Sequence, residues 1–136
     1  MPMQHIEIIK LKNYGDLRGA LYNILDTDIQ FLDNILNIHF GKIHPNSIRG
    51  NHYHHRSKEM LIIGYLDTWT LAWAKDESDE ISIKEFTGSG AVLIKVNEGV
   101  GHSVKNNGGK DLEIIALSNR TFSKDNPDTF SKILLT

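Results

Sequence analysis

The 136-residue chain contains no cysteine. Disulfides and thiolate ligands are therefore excluded, and any metal must be held by nitrogen and oxygen. No apolar run approaches the roughly 18 residues of a transmembrane helix. The N-terminus, Met1 to Lys12, interrupts its apolar residues with acids and bases, so it carries no signal-peptide core. The expectation is a cytoplasmic protein. Neither sign of charge predominates: 15 Lys and Arg stand against 17 Asp and Glu, interspersed, for a net charge of −2. That argues against a general nucleic-acid binder or a membrane-surface protein and makes any anion recognition local. Repeats, linkers, low-complexity segments and helical patterns of ordinary length are also missing. What is present is 40 % hydrophobic residues, over a length that suits a single domain, 1–136, with one core.

Short apolar runs separated by turn residues fill that length. Strands are expected at Ile6 to Leu11, Leu21 to Leu25, Ile35 to Ile43, Met60 to Ile63, Thr68 to Ala74, Ile81 to Phe86, Ala91 to Val96, His102 to Lys105 and Leu112 to Leu117. Asn13 to Asp16, Asp26-Thr27-Asp28 and His44-Pro45-Asn46-Ser47 read as breaks or turns, Asp16-Leu17-Arg18-Gly19 as a turn with a charged pair, and Asp76 to Glu80 as an exposed hairpin tip. Pro127 stands where a single helical turn can start. Many short strands with glycine-rich turns predict an all-β barrel or jelly roll. Trp69 and Trp73 share a strand face, suiting the core or a dimer interface. In the run from Ile35 to Ile43, Leu36, Ile38 and Phe40 fall on one face and Asn37, His39 and Gly41 on the other. The polar face is either solvated or lines a ligand cavity, and parity alone does not choose.

The most informative stretch is Arg49 to Glu59. In a strand, residues two apart share a face, so His52 and His54 point into one volume while Tyr53 and His55 point away. Glu59 follows His54 by five residues, the wrong parity unless a bend intervenes, and Arg56-Ser57-Lys58 is polar enough to supply one. Two imidazoles and a carboxylate suit a divalent transition metal and need a further ligand, for which His102 is the best candidate. His5, His44 and His55 are read as surface or hydrogen-bonded residues.

Together, H-x-H with Glu59 and Gly99-Val100-Gly101-His102 through Asn106 resemble the two cupin motifs, with Asn97 where the second motif has proline. The resemblance implies a double-stranded β-helix, a jelly-roll barrel, with His52, His54, Glu59 and His102 around one metal. A narrower likeness rests on Asp16-Leu17-Arg18-Gly19, Ile48 to His55, Ser118 to Phe122 and Asp125-Asn126-Pro127-Asp128-Thr129-Phe130. In this order these resemble the C-terminal cupin domain of the bifunctional UDP-sugar enzymes of capsular-polysaccharide synthesis. More distantly they are similar to dTDP-4-dehydrorhamnose 3,5-epimerase and the dTDP-sugar ketoisomerases.

This resemblance implies an epimerase or isomerase of a nucleotide-linked 4-keto sugar, in which Arg49 meets the diphosphate and His52 stands at the position of the catalytic base. A histidine that ligates a metal cannot also be a free base, so His39 is a second candidate for moving the proton. Arg49 and Arg18 offer planar, bidentate phosphate donors, and Asn37, on the His39 face, is expected to bind substrate with them. Zinc is the favoured metal, with iron, manganese or nickel as alternatives, and a homodimer is expected. Two other readings stay open: a non-catalytic cupin that binds a sugar or nucleotide sugar, and a metal-dependent cupin oxygenase.

Overall fold

The computed structural model describes residues 5–75 and 80–136. Ten strands carry the fold: β1 (Ile6–Lys10), β2 (Asn37–Ile43), β3 (Ile48–Tyr53), β4 (Glu59–Tyr65), β5 (Trp69–Lys75), β6 (Ser82–Phe86), β7 (Gly90–Val96), β8 (Val100–Asn106), β9 (Leu112–Ser118) and β10 (Phe130–Ser131). One helical turn, α1 (Asp26–Ile29), runs into a 3-10 turn at Gln30–Leu32. All pairings between these strands are antiparallel. They make two five-stranded sheets, ordered β1-β7-β4-β9-β2 and β10-β3-β8-β5-β6. The sheets face each other as the expected jelly-roll barrel. Among the described residues no helix is long and apolar enough to cross a membrane.

Strand parity divides the barrel into a filled end and an open end. Ile43, Leu61, Ile63, Val92 and Ile94 of one sheet meet Trp69, Leu71, Phe86, Val100 and Val104 of the other in one buried cluster. Trp69 is fully buried and lies flat on Phe86, ring centroids 4.2 Å apart. A second cluster on the outer face of the first sheet joins Met60, Leu93 and Leu117 to Leu32, whose 3-10 turn covers them. Toward the other end the inner positions turn small or polar, with Gly41, Ala116, His102 and Glu59, and a cavity opens there.

Two expectations require correction. Leu21 to Leu25 is not a strand. Leu21 carbonyl accepts the Tyr14 N–H in a local loop, and Leu25 carbonyl accepts the N–H groups of Asp28 and Ile29. That backbone is committed to starting α1, and the acids read as a break, Asp26 and Asp28, occupy its first turn, where the helix dipole favours negative charge. No helical turn forms at Pro127; the chain instead reaches β10, which pairs with β3. Of the two readings for the tryptophans the core one holds and the dimer interface does not: Trp69 is sealed in the core, and Trp73 faces inward opposite His102, half-buried. Of the predicted tip from Asp76 to Glu80, residues 76–79 lie outside the described residues.

Candidate functional site

The site begins with an irregularity in β3. Arg49 pairs with Val104 and Gly50 with Ser103, but His52 pairs with His102, so Asn51 is an extra residue, a β-bulge. Asn51 sits in the left-handed region at φ 54 and Gly50 at φ 101. A Cβ on Gly50 would lie 2.7 Å from the His102 carbonyl oxygen, so only glycine allows β3 to approach β8 this closely. Arg49 and His52 are three residues apart and would face opposite ways on a regular strand. The bulge turns both into the cavity with His54.

β3 ends at Tyr53, and the loop from His54 to Lys58 brings Glu59 onto the inner face of β4. One ligand atom from each of His52, His54, Glu59 and His102 lies within 4.8 Å of the others. His102 Nδ1 donates to the Val100 carbonyl at 3.2 Å, and His54 Nδ1 donates to the Asp128 carbonyl at 2.9 Å. A carbonyl only accepts, so each neutral ring carries its proton on Nδ1 and presents a bare Nε2. These nitrogens point at Glu59: His102 Nε2 is 3.0 Å from Oε1 and His54 Nε2 3.3 Å from Oε2. Both are buried outside hydrogen-bonding geometry with any described residue. Lone pairs and a carboxylate thus converge at a point that suits a proton or a cation. The four side chains fit a divalent metal as an N3O donor set.

The electrostatics agree with this geometry. Burial alone would raise the Glu59 pKa, but the flanking imidazoles hold its carboxyl well below the usual carboxylate range. Burial alone would lower His54, yet the Glu59 carboxylate facing its Nε2, then the carbonyl and charge of Asp128, raise it above the ordinary histidine value. His52 lacks such a partner: burial first, then the charges of His102 and His54, push it down to about 4 against an opposing pull from Glu59. It is a neutral imidazole at neutral pH.

The cluster forms part of the wall of a cavity of about 670 Å³, which Arg49, His39, Gly41, Leu61 and Phe122 also line. Arg49 has no carboxylate partner among the described residues. An adjoining space of about 450 Å³ shares His39, His54, Glu59, Phe122 and Thr129 with it and adds Asn37, Arg56 and Arg120. The polar face of β2 therefore borders the cavity, and its apolar face is the exposed one: Ile38 is 60 % and Phe40 84 % exposed. Asn37 Nδ2 donates to His39 Nε2 at 2.8 Å. Arg18 is not among the lining residues; it is solvent-exposed and forks onto Asp16 in the predicted turn.

Sequence reasoning assigned no position to Asp128, Thr129 or Phe122, although two of the motif segments contain them. Nothing in a linear pattern shows that a segment some 70 residues after His54 returns to its ring. The bulge at Gly50-Asn51 had a signal in residue type, since Gly and Asn both tolerate positive φ.

The family described as the polysaccharide biosynthesis C-terminal domain matches residues 14–130. The chain belongs to that family. A curated relative, the UDP-2-acetamido-2,6-beta-L-arabino-hexul-4-ose reductase of Pseudomonas aeruginosa, is 27 % identical over 125 residues. The match covers 87 % of this chain but 30 % of that protein, so this family member spans under a third of its relative. Among solved structures, the capsular polysaccharide assembling protein CapF of Staphylococcus aureus superimposes with a TM-score of 0.63 at 21 % identity, over 91 % of this chain and 34 % of its own. QdtA, a sugar 3,4-ketoisomerase from Thermoanaerobacterium thermosaccharolyticum solved with TDP, gives 0.70 at 19 % identity, over 95 % and 89 %. The epimerase RmlC of Legionella pneumophila gives 0.73 at 16 %, over 96 % and 74 %. These likenesses bear out the cupin fold and the resemblance to epimerase domains read from the motifs.

Proposed function

We propose that the chain is a divalent-metal-binding cupin that epimerises or isomerises a nucleotide-linked 4-keto sugar in polysaccharide biosynthesis. The observation that carries this reading is the pair of bare Nε2 atoms aimed at the buried Glu59 carboxylate, in a cavity that Arg49, without a carboxylate partner among the described residues, also lines. His52, His54, Glu59 and His102 hold the metal, with zinc favoured over iron, manganese or nickel. A bound cation supplies a Lewis acid for a ketone oxygen, a contribution of several kcal/mol to such reactions.

The other roles fall to the chain's own residues. Arg49 takes the diphosphate with its planar fork and places the sugar over the cluster. The reaction needs a base for the proton on the carbon next to the ketone and a route for its return on the other face. His52, held neutral with a pKa of about 4, is a weak base at neutral pH and suits a ligand better. His39 is then the base: Asn37 holds its Nε2 at rest and exposes that lone pair by turning to the substrate. Arg18 has no part in this cavity.

The same reading takes the protein as a homodimer. β2 is an edge strand, and Phe40, with Ile115 opposite it on β9, leaves an apolar outer face that a second copy would cover.

The test is elemental analysis of the purified protein, followed by solvent deuterium exchange into UDP- and dTDP-4-keto sugars with and without chelator. Exchange next to the ketone, lost on chelation, is the expected result. Bound metal without exchange would replace this reading with a binding module or an oxygenase.

A further inference from the structure

Asp128 lies between β9 and β10, and its two ends meet the same short loop. Its carboxylate accepts the backbone N–H of His55 through Oδ1 at 3.0 Å, the N–H of Arg56 through Oδ2 at 3.0 Å and the Ser57 hydroxyl through Oδ2 at 2.8 Å. Its main-chain carbonyl accepts from His54 Nδ1. These partners are His54 itself and three of the four residues that separate it from Glu59. The fourth, Lys58, gives its N–H to Asn119 Oδ1 at 2.9 Å. The loop is also held at its backbone, by Gly99 N–H on the His54 carbonyl, Arg120 Nε on the Arg56 carbonyl and Asn119 N–H on the Lys58 carbonyl; Asp128 differs from these in binding both the His54 ring and the N–H groups of the residues that lead to Glu59.

We infer that Asp128 is a positioning residue for the candidate metal centre, holding the loop through its carboxylate and fixing His54 as the Nδ1–H tautomer through its carbonyl. The inference rests on the metal-binding reading above for its consequence, but its geometry does not need the ion. A ligand imidazole whose other nitrogen is anchored is pre-organised, and loss of such an anchor typically weakens metal binding about 10- to 100-fold. Arg56 approaches the same carboxylate, its Nε 3.9 Å from Oδ1, and Thr129 Oγ1 lies 3.3 Å from His54 Nδ1, so among the described residues Asp128 and Thr129 supply the partners of that ring nitrogen.

Two measurements on the full chain test this in wild type, Asp128→Ala and Asp128→Asn. Nitrogen-proton correlation spectra of the imidazoles at pH 8.5 with chelator read the tautomer, and zinc competition against a chromophoric chelator reads affinity. Wild type is expected to show His54 protonated on Nδ1. Asp128→Ala should release the ring to a mixture of tautomers and bind zinc about 10- to 100-fold more weakly. Asp128→Asn keeps one oxygen for the loop N–H groups and should recover part of the loss. A folded Asp128→Ala protein with the wild-type tautomer and zinc affinity would overturn the inference. If that variant does not fold, an Asp128→Asn protein indistinguishable from wild type in both readouts does the same. A tautomer that depends on Asp128 in a protein that binds no zinc refutes the metal centre and leaves the positioning role standing.

Discussion

Replacing Glu59 by Gln in the chelator-treated protein should change the sign of a stability difference with pH. The His54 pKa is raised in the folded state, so its contribution to stability is fully present below the unfolded histidine value near 6.5 and is lost as pH rises through the raised folded value. At pH 5 the wild type therefore holds a protonated His54 against an ionised Glu59, with side-chain exposures of only 15 % and 11 % to screen them. Breaking a buried ion pair costs about 3–5 kcal/mol when a charge is left alone. Gln keeps the volume, and the histidine can respond by losing its proton, so about 2–3 kcal/mol is the expected loss, near the value of a charge-assisted hydrogen bond. For a domain of this size that is roughly 6–12 °C in Tm. Once the pH has risen through the raised His54 value the ion pair is gone, and the Gln amide can donate to one of the bare Nε2 atoms that the carboxylate merely faces. There the variant should match or exceed the wild type. The Asp128 carboxyl, whose burial is outweighed by hydrogen bonds from Ser57, Arg56 and His55, has a lowered pKa. Its contribution is lost only as pH falls through that value, so it does not distort the comparison at pH 5. Thermal unfolding followed by circular dichroism from pH 5 to 8.5 gives the difference directly. A gap between the two proteins that stays constant over this range would refute the argument.

Other consequences follow from single contacts. Arg49→Ala should weaken binding of UDP or dTDP by about tenfold or more, the value of a lost charge-assisted hydrogen bond, while metal content stays unchanged; titration calorimetry with parallel elemental analysis reads both. Asn51→Ala removes Oδ1 from the N–H groups of Leu134 and Leu135 and Nδ2 from the Leu135 carbonyl, and places a non-Asn side chain at φ 54. A loss of about 2–4 kcal/mol is expected, and hydrogen exchange at Leu134 and Leu135 should accelerate well before that of β4. Phe40→Glu should leave the fold intact, because the ring is 84 % exposed, and shift the protein to a monomer in light scattering at micromolar concentration.

Strand positions were readable wherever the apolar pattern was continuous, as at Ala91 to Val96, because period-two burial is a local property of the chain. Leu21 to Leu25 shows where that fails. Its composition suits a strand, but a strand exists only through a partner, and this backbone was already bound to a local loop and to α1. The tryptophans show the same limit, since parity placed them on one face without saying that the face looks inward.

His52, His54, Glu59 and His102 could be picked from spacing because the donor types are few and the H-x-H parity is covalent geometry. Their convergence is tertiary. The bulge at Asn51 turned Arg49 and His52 to the same side against strand parity, and Asp128 returned from far along the chain to orient His54. The sequence alone determined which groups were available and the local periods that make a barrel of strands. Folding decided which of those groups meet and which tautomer each imidazole shows, because both depend on contacts between residues that nothing in the linear order brings together.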